Sequence, residues 1–327
     1  MSHPSSAAGF SSAPGRLGVG LVYFPALHPI FADTDTDAAP SVLELEPQTL
    51  WHRTFSDGNW CYTVPDDYLD HLCALPQSKL VHGVGQPIGG STRDPIDHFP
   101  LLRRTVDALD PAWVSEHLSF MHLQAGSDVR EMGFLLPPVQ SDESVRVAAE
   151  NIAHYRSEVR RPVAFETGVN YLRGQYGSLD DGTYFRRVCE GADSGILLDL
   201  HNLWCNHVNG RADIHDVLAQ MPLDRVWEVH LAGGSSLDGV RLDGHCDAVP
   251  DELLAAAADI VPRLNNLGAI VYEVMPDHAE RLGHDAVRQQ LAALRDLWRL
   301  VPPVRVTVEA HTARTLVAPA SDSDRLA

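Results

Sequence analysis

Short apolar runs alternate with amphipathic stretches along most of the chain. Runs typical of strands begin near residues 18, 42, 79, 113, 163, 195, 226 and 269, and several are apolar on both faces. Between most of them lie stretches with helical periodicity, at residues 97–109, 141–158, 180–191, 214–221, 250–267 and 284–300. Continuous apolar strands that alternate with helices indicate a parallel sheet covered on both sides.

The number and order of these elements predict an α/β fold, a (β/α)8 TIM barrel. An open, doubly wound sheet is the alternative. We place the barrel at residues 17–301. The Ser/Ala/Gly/Pro-rich segment 1–16 is expected to be disordered, the acidic stretch Asp33 to Pro40 is interpreted as a loop, and residues 302–327 are interpreted as an appended strand and tail.

Side chains that can bind metals stand at the end of nearly every predicted strand from the third onward, where barrels of this kind build active sites. One or two such residues could be helix caps or hydrogen-bonded core histidines. A larger number of such residues at one rim predicts a multinuclear metal site. Buried acids and imidazoles without a partner would lower the stability of the fold, and bound metal ions would compensate for that loss. Imidazole and carboxylate together suit iron, zinc or manganese. The residues are His82, Glu116, His117, Glu166, Asp199, His201, Asn202, His230, Asp243, His245 and Glu273.

Composition narrows the function further. The 25 Lys and Arg residues against 44 Asp and Glu give a net charge of −19, which disfavours nucleic acid as a partner. The five cysteines contain no Cys-x-x-Cys pair and favour a reducing compartment. We find neither signal-peptide character at the N-terminus nor an apolar run long enough for a membrane span, and therefore expect a soluble, cytoplasmic protein that does not bind membranes.

The order of the candidate ligands resembles that of endonuclease-IV-like and xylose-isomerase-like barrels. Short sequence motifs resemble those of one family in particular, the multinuclear non-haem iron-dependent oxidative enzymes. The methanobactin-biosynthesis oxidase is a familiar member of that family. The matching motifs span roughly residues 79–275. They are His82-Gly-Val-Gly, Val114-Ser-Glu-His-Leu, Leu198-Asp-x-x-Asn202-Leu, Glu228-Val-His-Leu-Ala-Gly, and Asp243-x-His245 followed by Val249-Pro-Asp.

This resemblance implies an oxidase that uses dioxygen as co-substrate to modify a residue, typically cysteine, of a ribosomally synthesised precursor peptide. A separate partner protein often presents the peptide in that family. The resemblance also implies Fe2+/Fe3+ as cofactor, with two or three ions per chain. The implied ligands are His82, His117, Glu166, Asp199, Asn202, His230, Asp243, His245 and Glu273.

We expect four residues to have a role in catalysis: Asp243, His245, Glu116 and His201. Glu116 either orients the neighbouring imidazole or caps the core. His201 stands where the family has an amide, in Asp199-Leu-His201-Asn202, and could be a further ligand, a proton shuttle or a neutral substitute.

Two other sequence motifs differ from those of the family. Glu166-Thr167-Gly168 replaces Glu-Asn, and Gln86-Pro-Ile-Gly89 replaces Leu-Ser-Leu-Gly. These changes leave the ligand set largely intact and bear on the substrate. Cys205 and Cys246 are either soft, oxidisable ligands or small buried hydrophobes. Four aromatic residues near the motifs either line a peptide pocket or belong to the core: Tyr171, Tyr176, Trp204 and Trp227.

Three other functions compete with the oxidase. A zinc phosphoesterase of the endonuclease IV kind could use the same ligands, but the negative charge and Asn202 disfavour it. A sugar isomerase would need a catalytic lysine, whereas Lys79 is the only lysine and lies at the start of a strand. A barrel that binds metal or peptide without turnover is the third alternative.

Overall fold

The computed structural model describes residues 15–33, 38–56, 58–172 and 177–303, and its central sheet is a closed barrel of parallel strands. In the barrel each strand pairs with the strands before and after it, and β1 pairs with β8. The predicted TIM barrel is therefore confirmed, and every strand begins within one residue of its predicted start. The strands are β1 (Gly18–Val22), β2 (Val42–Leu45), β3 (Ser78–Gly83), β4 (Val114–His117), β5 (Val163–Glu166), β6 (Gly195–Asp199), β7 (Val226–Leu231) and β8 (Ala269–Tyr272).

Helices cover the outside of this barrel. Their apolar faces pack on strands that are themselves buried on both sides, as β1, β2 and β5 to β8 are along their whole length. The α-helices are α1 (His28–Phe31), α2 (Asp66–Ala74), α3 (Phe99–Leu109), α4 (Asp142–Val159), α5 (Asp181–Ala192), α6 (Leu200–Val208), α7 (Ile214–Gln220), α8 (Asp251–Ile260), α9 (Pro276–Leu282) and α10 (His284–Trp298). Short 3-10 turns occupy Pro25–Leu27, Pro47–Leu50, Leu223–Arg225 and Val261–Arg263.

Helix α4 shows how the sequence sets these boundaries. The side chain of Ser141 accepts a hydrogen bond from the Ser144 backbone N–H, and the Ser144 hydroxyl in turn accepts one from the Ser141 backbone N–H, which forms a capping box. Its buried residues recur at helical spacing, from Ala148 through Ile152 to Val159. The helix ends at Arg160, whose left-handed backbone (φ 52°) turns the chain toward β5.

Hairpins interrupt the strand-helix alternation at the mouth of the barrel. The first hairpin (His52–Ser56 with Asn59–Thr63) follows β2, and the second hairpin (Phe120–Ala125 with Asp128–Leu136) follows β4. A third, short hairpin (Ser236–Leu237 with Val240–Arg241) follows β7. The sequence did not predict these hairpins, and the second one forms a wall of the cavity described below.

Other boundaries also differ from the sequence prediction. The helix predicted at 250–267 ends as an α-helix at Ile260 and continues only as a 3-10 turn. The cause is Pro262, which has no backbone N–H to donate to the preceding turn. Helices α1, α2, α6 and α9 were not predicted. The predicted disorder of residues 1–16 falls mostly outside the described residues, as do nearly all of residues 302–327, so the domain boundaries stay predictions.

No helix in the described part of the chain is both long and apolar enough to span a membrane.

Candidate metal centre

The carboxyl ends of the barrel strands bring most of the predicted ligands together. Within each of four groups, one candidate ligand atom from each of three residues lies within 4.8 Å of the others. Because Glu166, Asp199 and His245 each belong to two groups, the groups form one continuous cluster. The groups are His82, His117 and Glu166; Glu166, Asp199 and His230; Asp199, His245 and Glu273; and His201, Asp243 and His245.

The first group is organised around one oxygen of Glu166. Nε2 of His82 and Nε2 of His117 each lie 3.1 Å from Oε2 of Glu166. The opposite nitrogens are held by other partners, since Nδ1 of His82 lies 2.8 Å from the Ser115 hydroxyl and Nδ1 of His117 lies 3.1 Å from the Gly83 carbonyl oxygen. Each imidazole is thus fixed through one nitrogen and directs the other toward a carboxylate, as metal-binding histidines do.

His230 lies between two carboxylates at the centre of the cluster. Its Nδ1 is 2.8 Å from Oε2 of Glu273, and its Nε2 is 2.9 Å from Oε2 of Glu44. A third buried acid, Glu228, lies 3.8 Å from the same Nε2 and accepts a hydrogen bond of 2.8 Å from the Trp113 indole. Glu44 and Glu228 were not predicted as members of the site, although Glu44 is a charged residue in a strand whose every position is buried.

Of the two carboxylate oxygens of Asp199, one caps a helix and the other forms no hydrogen bond with the described residues. Oδ1 caps helix α6 by accepting the Asn202 backbone N–H at 2.7 Å. Oδ2 is buried and lies 3.9 Å from Nε2 of His245. The side-chain amide of Asn202 donates to Glu166 at 3.2 Å, while the Thr167 hydroxyl accepts the Asp199 backbone N–H at 3.0 Å.

The loop after β7 supplies the last predicted ligands. Oδ1 of Asp243 lies 2.7 Å from Nε2 of His245 and 3.1 Å from Nδ1 of His201. Nδ1 of His245 lies 3.0 Å from Glu273, which joins this loop to the end of β8. The backbone of His245 is left-handed (φ 43°), a conformation that costs energy for a non-glycine residue and is concentrated at functional sites. The Asp243 backbone N–H donates to the Tyr171 hydroxyl at 2.6 Å.

Burial and crowding of like charges perturb the protonation of the cluster. Burial, reinforced by the charges of Glu166 and Asp243, raises the pKa of Asp199 well above its usual range. Burial alone would lower the pKa of His117, but the negative charge of Glu166 and the hydrogen bond to Glu116 raise it to about 10. Protons on imidazoles therefore balance the carboxylates, and bound cations could replace these protons.

The donor atoms fit transition-metal ions. Several buried polar atoms of the described cluster form no hydrogen bond, although some lie close to a group of opposite charge. Leaving such an atom unsatisfied costs about 1–3 kcal/mol. The nitrogen and oxygen atoms involved face one another, so one ion would satisfy several of them at once. Mixed imidazole and carboxylate donors suit iron, zinc or manganese. The unpartnered atoms include His82 Nε2, Glu166 Oε2, Asp199 Oδ2, Asn202 Oδ1 and His245 Nε2.

Glu116 lies directly behind the first group. Its Oε1 accepts the His117 backbone N–H at 3.0 Å and lies 3.4 Å from Nδ1 of the same residue. Its Oε2 accepts the Gln86 backbone N–H at 3.1 Å. Glu116 thus contacts both the imidazole and the loop after β3, at a position from which it can orient the imidazole.

Both cysteines near the motifs are buried, and they differ in position. Sγ of Cys205 lies 3.7 Å from Nε2 of His201. Neither cysteine belongs to a candidate ligand group among the described residues.

The aromatic residues named by the sequence analysis are divided between site and core. Tyr171 touches the loop after β7 and is 45% exposed, so it lies at the mouth of the barrel. Trp227 is buried in the core against Trp113, and the Trp204 ring packs under the Arg241 guanidinium at 4.9 Å. Tyr176 lies outside the described residues.

A cavity of about 160 Å³ opens directly onto the cluster. Its lining includes the candidate ligands His117, Glu166, Asn202, Asp243 and His245, together with the apolar residues 135–138 at the end of the second hairpin. Further lining residues that were not singled out from the sequence include Gln140, Asn170, Asp181, Tyr184 and Phe185. The cavity thus combines a cluster of candidate ligands with apolar residues of the second hairpin.

Solved structures of other proteins share the barrel architecture of this chain. D-psicose 3-epimerase from Clostridium cellulolyticum H10 aligns with a TM-score of 0.51 at 10% identity, covering 87% of this chain and 99% of that chain. D-allulose 3-epimerase from Methylomonas sp. aligns with a TM-score of 0.51 at 14% identity, covering 88% and 98%. Such low identity shows the fold alone. The protein is a (β/α)8 TIM barrel with a cluster of candidate metal ligands at its mouth.

Sequence comparisons show the family. A UPF0276 protein from Chromobacterium violaceum is 33% identical over 222 residues, which are 68% of this chain and 79% of that protein. A UPF0276 protein from Streptomyces avermitilis is 28% identical over 286 residues, 86% of this chain and 55% of that protein. The profile of the family described as RiPP precursor modification enzyme MbnB/TglH/ChrH matches residues 38–280. The chain belongs to this family, whose members modify ribosomally synthesised precursor peptides.

Proposed function

We propose that this protein is a multinuclear iron-dependent oxidase that uses dioxygen to modify a residue, by preference a cysteine, of a ribosomally synthesised precursor peptide. The observation that carries the proposal is the arrangement of the first group. His82 and His117 direct their Nε2 atoms at one oxygen of Glu166, while a hydroxyl and a backbone carbonyl hold their other nitrogens. Such preorganised imidazoles are typical of metal ligands.

The groups of the cluster suggest how two or three ions would be divided. His82, His117 and Glu166 would hold one ion, and Glu166, Asp199 and Glu273, with His230 or His245, would hold a neighbouring one. Asp243 and His245 are the candidates for a third position. Shared carboxylates would keep neighbouring ions close to one another. When bound, such ions supply redox chemistry and Lewis-acid activation of a coordinated group.

The cavity supports a peptide substrate that inserts a single side chain. A volume of about 160 Å³ is similar to that of an engineered cavity of roughly 150 Å³ that binds benzene. It can therefore take one residue while the peptide backbone stays outside. The apolar residues 135–138 would exclude water from the side chain, and the ligand face would receive its polar end.

Two other residues would position the machinery without touching the substrate. Glu116 contacts the His117 imidazole and the Gln86 backbone, so it would fix the orientation of a ligand. Glu44 lies against Nε2 of His230 and would do the same for the central histidine. In both cases a carboxylate would hold the nitrogen that faces away from an ion.

The alternatives are less well supported. A phosphoesterase acting on DNA would have to overcome the net charge of −19. A sugar isomerase would need a lysine near the cluster, but Lys79 donates a hydrogen bond to the Leu75 carbonyl at the amino end of the barrel. We also propose a cytoplasmic location, because the five cysteines are unpaired.

The test is an oxygen electrode measurement on protein loaded anaerobically with Fe2+. The substrate would be a short cysteine-containing peptide encoded beside the gene, with and without any partner protein encoded there. We expect oxygen consumption that depends on the peptide, together with a change in peptide mass. A Cys→Ser peptide and zinc-loaded protein serve as controls. Iron-loaded protein that consumes no oxygen above the peptide-free rate, or zinc-loaded protein that cleaves abasic-site DNA, would contradict the oxidase.

A further inference from the structure

His201 occupies a position in the cluster that suits a metal ligand. It lies in the first turn of α6, immediately beyond the strand that ends in Asp199, and is fully buried. Its Nδ1 lies 3.1 Å from Oδ1 of Asp243, and that oxygen lies 2.7 Å from Nε2 of His245. Three donor atoms from three residues therefore converge, all within 4.8 Å of one another.

The surroundings of the His201 ring hold it in this orientation. Nε2, on the far side of the ring, lies 3.7 Å from Sγ of Cys205, one helical turn along α6. The backbone of Gly234 packs against the ring so closely that a Cβ at residue 234 would lie 2.9 Å from Nε2 and 3.0 Å from Cε1. The absence of a side chain at Gly234 thus makes room for an imidazole that points Nδ1 toward Asp243.

We propose that His201 is a ligand of a third metal ion, bound through Nδ1 together with Asp243 and His245. This inference rests on the proposed metal centre and completes its third position with a second imidazole, so that two imidazoles and one carboxylate would hold the ion. That donor set suits Fe2+ and Zn2+. Cys205 is a positioning residue whose sulfur accepts the Nε2–H of His201, so that Nδ1 carries the lone pair.

The residues of this site come from other parts of the fold than the histidines of the first group. His82 and His117 lie on β3 and β4, whereas His201, Asp243 and His245 come from α6 and the loop after β7. Removing His201 should therefore empty one position and leave the ion at the first group in place. The number of ions per chain reports this directly, without any measurement of activity.

The experiment compares His201→Leu with the wild-type protein after each is loaded anaerobically with Fe2+ or with Zn2+, desalted and analysed for metal per chain. We expect the variant to hold one ion per chain fewer than the wild type. His207→Leu is the matched control, because His207 lies on the same helix but pairs at the surface with Asp213. Equal metal content in His201→Leu and wild type would overturn the assignment.

Cys205 variants give an independent test if His201→Leu does not fold. Cys205→Ala should release the third ion at a chelator concentration about 10-fold lower than wild type, since loss of an outer partner typically costs 10–100-fold in metal affinity. Cys205→Ser, whose hydroxyl can accept the same N–H, should restore retention. If Cys205→Ala released the third ion at the same chelator concentration as wild type, Cys205 would not position His201. A wild-type protein that holds only two ions would overturn the third site alone, whereas one that holds none would refute the whole metal centre.

Discussion

At the scale of single residues, the geometry of the centre depends on side chains that are small or absent. A Cβ at Gly83 would lie 2.4 Å from Oε2 of Glu116 and 2.6 Å from the Tyr155 hydroxyl, both of which are buried. Gly83 also supplies the carbonyl that holds the His117 ring. A glycine at this position therefore lets Glu116 approach the backbone of β3 and the ligand next to it.

Gly83→Ala tests this close approach. We expect the substitution to lower the free energy of unfolding by about 1–3 kcal/mol, because overpacking displaces side chains that have no room to move. Chemical denaturation measures the change. Gly168→Ala is the control, since no atom of the described residues, apart from Gly168 and its two chain neighbours, lies within 4 Å of the Cβ it would introduce. Equal stability of the two variants would show that Glu116 and Tyr155 can give way.

Glu44 illustrates why some site residues escaped the sequence analysis. Alternating leucine and glutamate in β2 is typical of a strand with one solvated face, so its acids read as surface residues. In a closed barrel the second face of the strand is the interior. Glu44 consequently lies fully buried against His230, and only the barrel's closure identifies it as part of the site.

Glu44→Gln tests its role as the partner of His230. The amide keeps the volume of the side chain but loses the charge that favours a proton on Nε2 of His230. We expect about a 10–100-fold loss of affinity for the ion that His230 would bind, measured by competition with a chelator. If metal release is the same as in wild type, Glu44 does not orient the histidine.

At the scale of elements, the sequence predicted barrel strands well and hairpins poorly. Strands such as β6 are buried at every position, so their apolar residues run without interruption and mark them clearly. The second strand of the second hairpin is exposed or half-buried at every position, which leaves no apolar periodicity to detect. The cavity wall at residues 135–138 follows from the hairpin and was therefore missed.

A buried ion pair ties helix α5 to the segment after α6. The Arg211 guanidinium donates to both carboxylate oxygens of Asp181, at 2.7 and 3.0 Å, and to Oε1 of Gln140 at 3.2 Å. Asp181 and Gln140 line the cavity. The pair thus connects the stability of these elements to the shape of the proposed substrate pocket.

Arg211→Ala should therefore be strongly destabilising. It leaves the buried Asp181 carboxylate without its cation, which typically costs about 3–5 kcal/mol in the free energy of unfolding. Arg187→Ala, which breaks an exposed pair with Asp142, should change stability by less than about 1 kcal/mol. Thermal or chemical unfolding of the two variants measures the difference. If both variants lost a similar amount of unfolding free energy, burial of the Arg211–Asp181 pair would not make it more important for stability than an exposed pair.

At the scale of the whole molecule, the order of the candidate ligands along the chain could be predicted from the sequence, but the distances between them could not. The (β/α)8 topology predicts that strand ends share one rim. It does not predict that Glu166 contacts both His82 and His117, or that His245 reaches Glu273, because these contacts depend on loop geometry and on the left-handed backbone at His245.

Metal binding to this cluster should release protons. The raised pKa of His117, about 10, means that its imidazole carries a proton at pH 7, and a metal must displace that proton to use the lone pair. Affinity should therefore rise as pH increases toward that pKa. Calorimetric titration with Zn2+ at pH 7, in two buffers of different ionisation enthalpy, should show at least one proton released per chain. Binding enthalpies that do not depend on the buffer would contradict this.

The central claim is that distant parts of the chain form one cage for several transition-metal ions at the barrel mouth. Anomalous diffraction on crystals of the anaerobically purified protein, recorded on both sides of the iron absorption edge, tests it most directly. The account predicts two or three iron peaks within bonding distance of His82, Glu166, Asp199 and Asp243. Iron-loaded crystals with no anomalous peak at this cluster, or with peaks only elsewhere on the molecule, would contradict it.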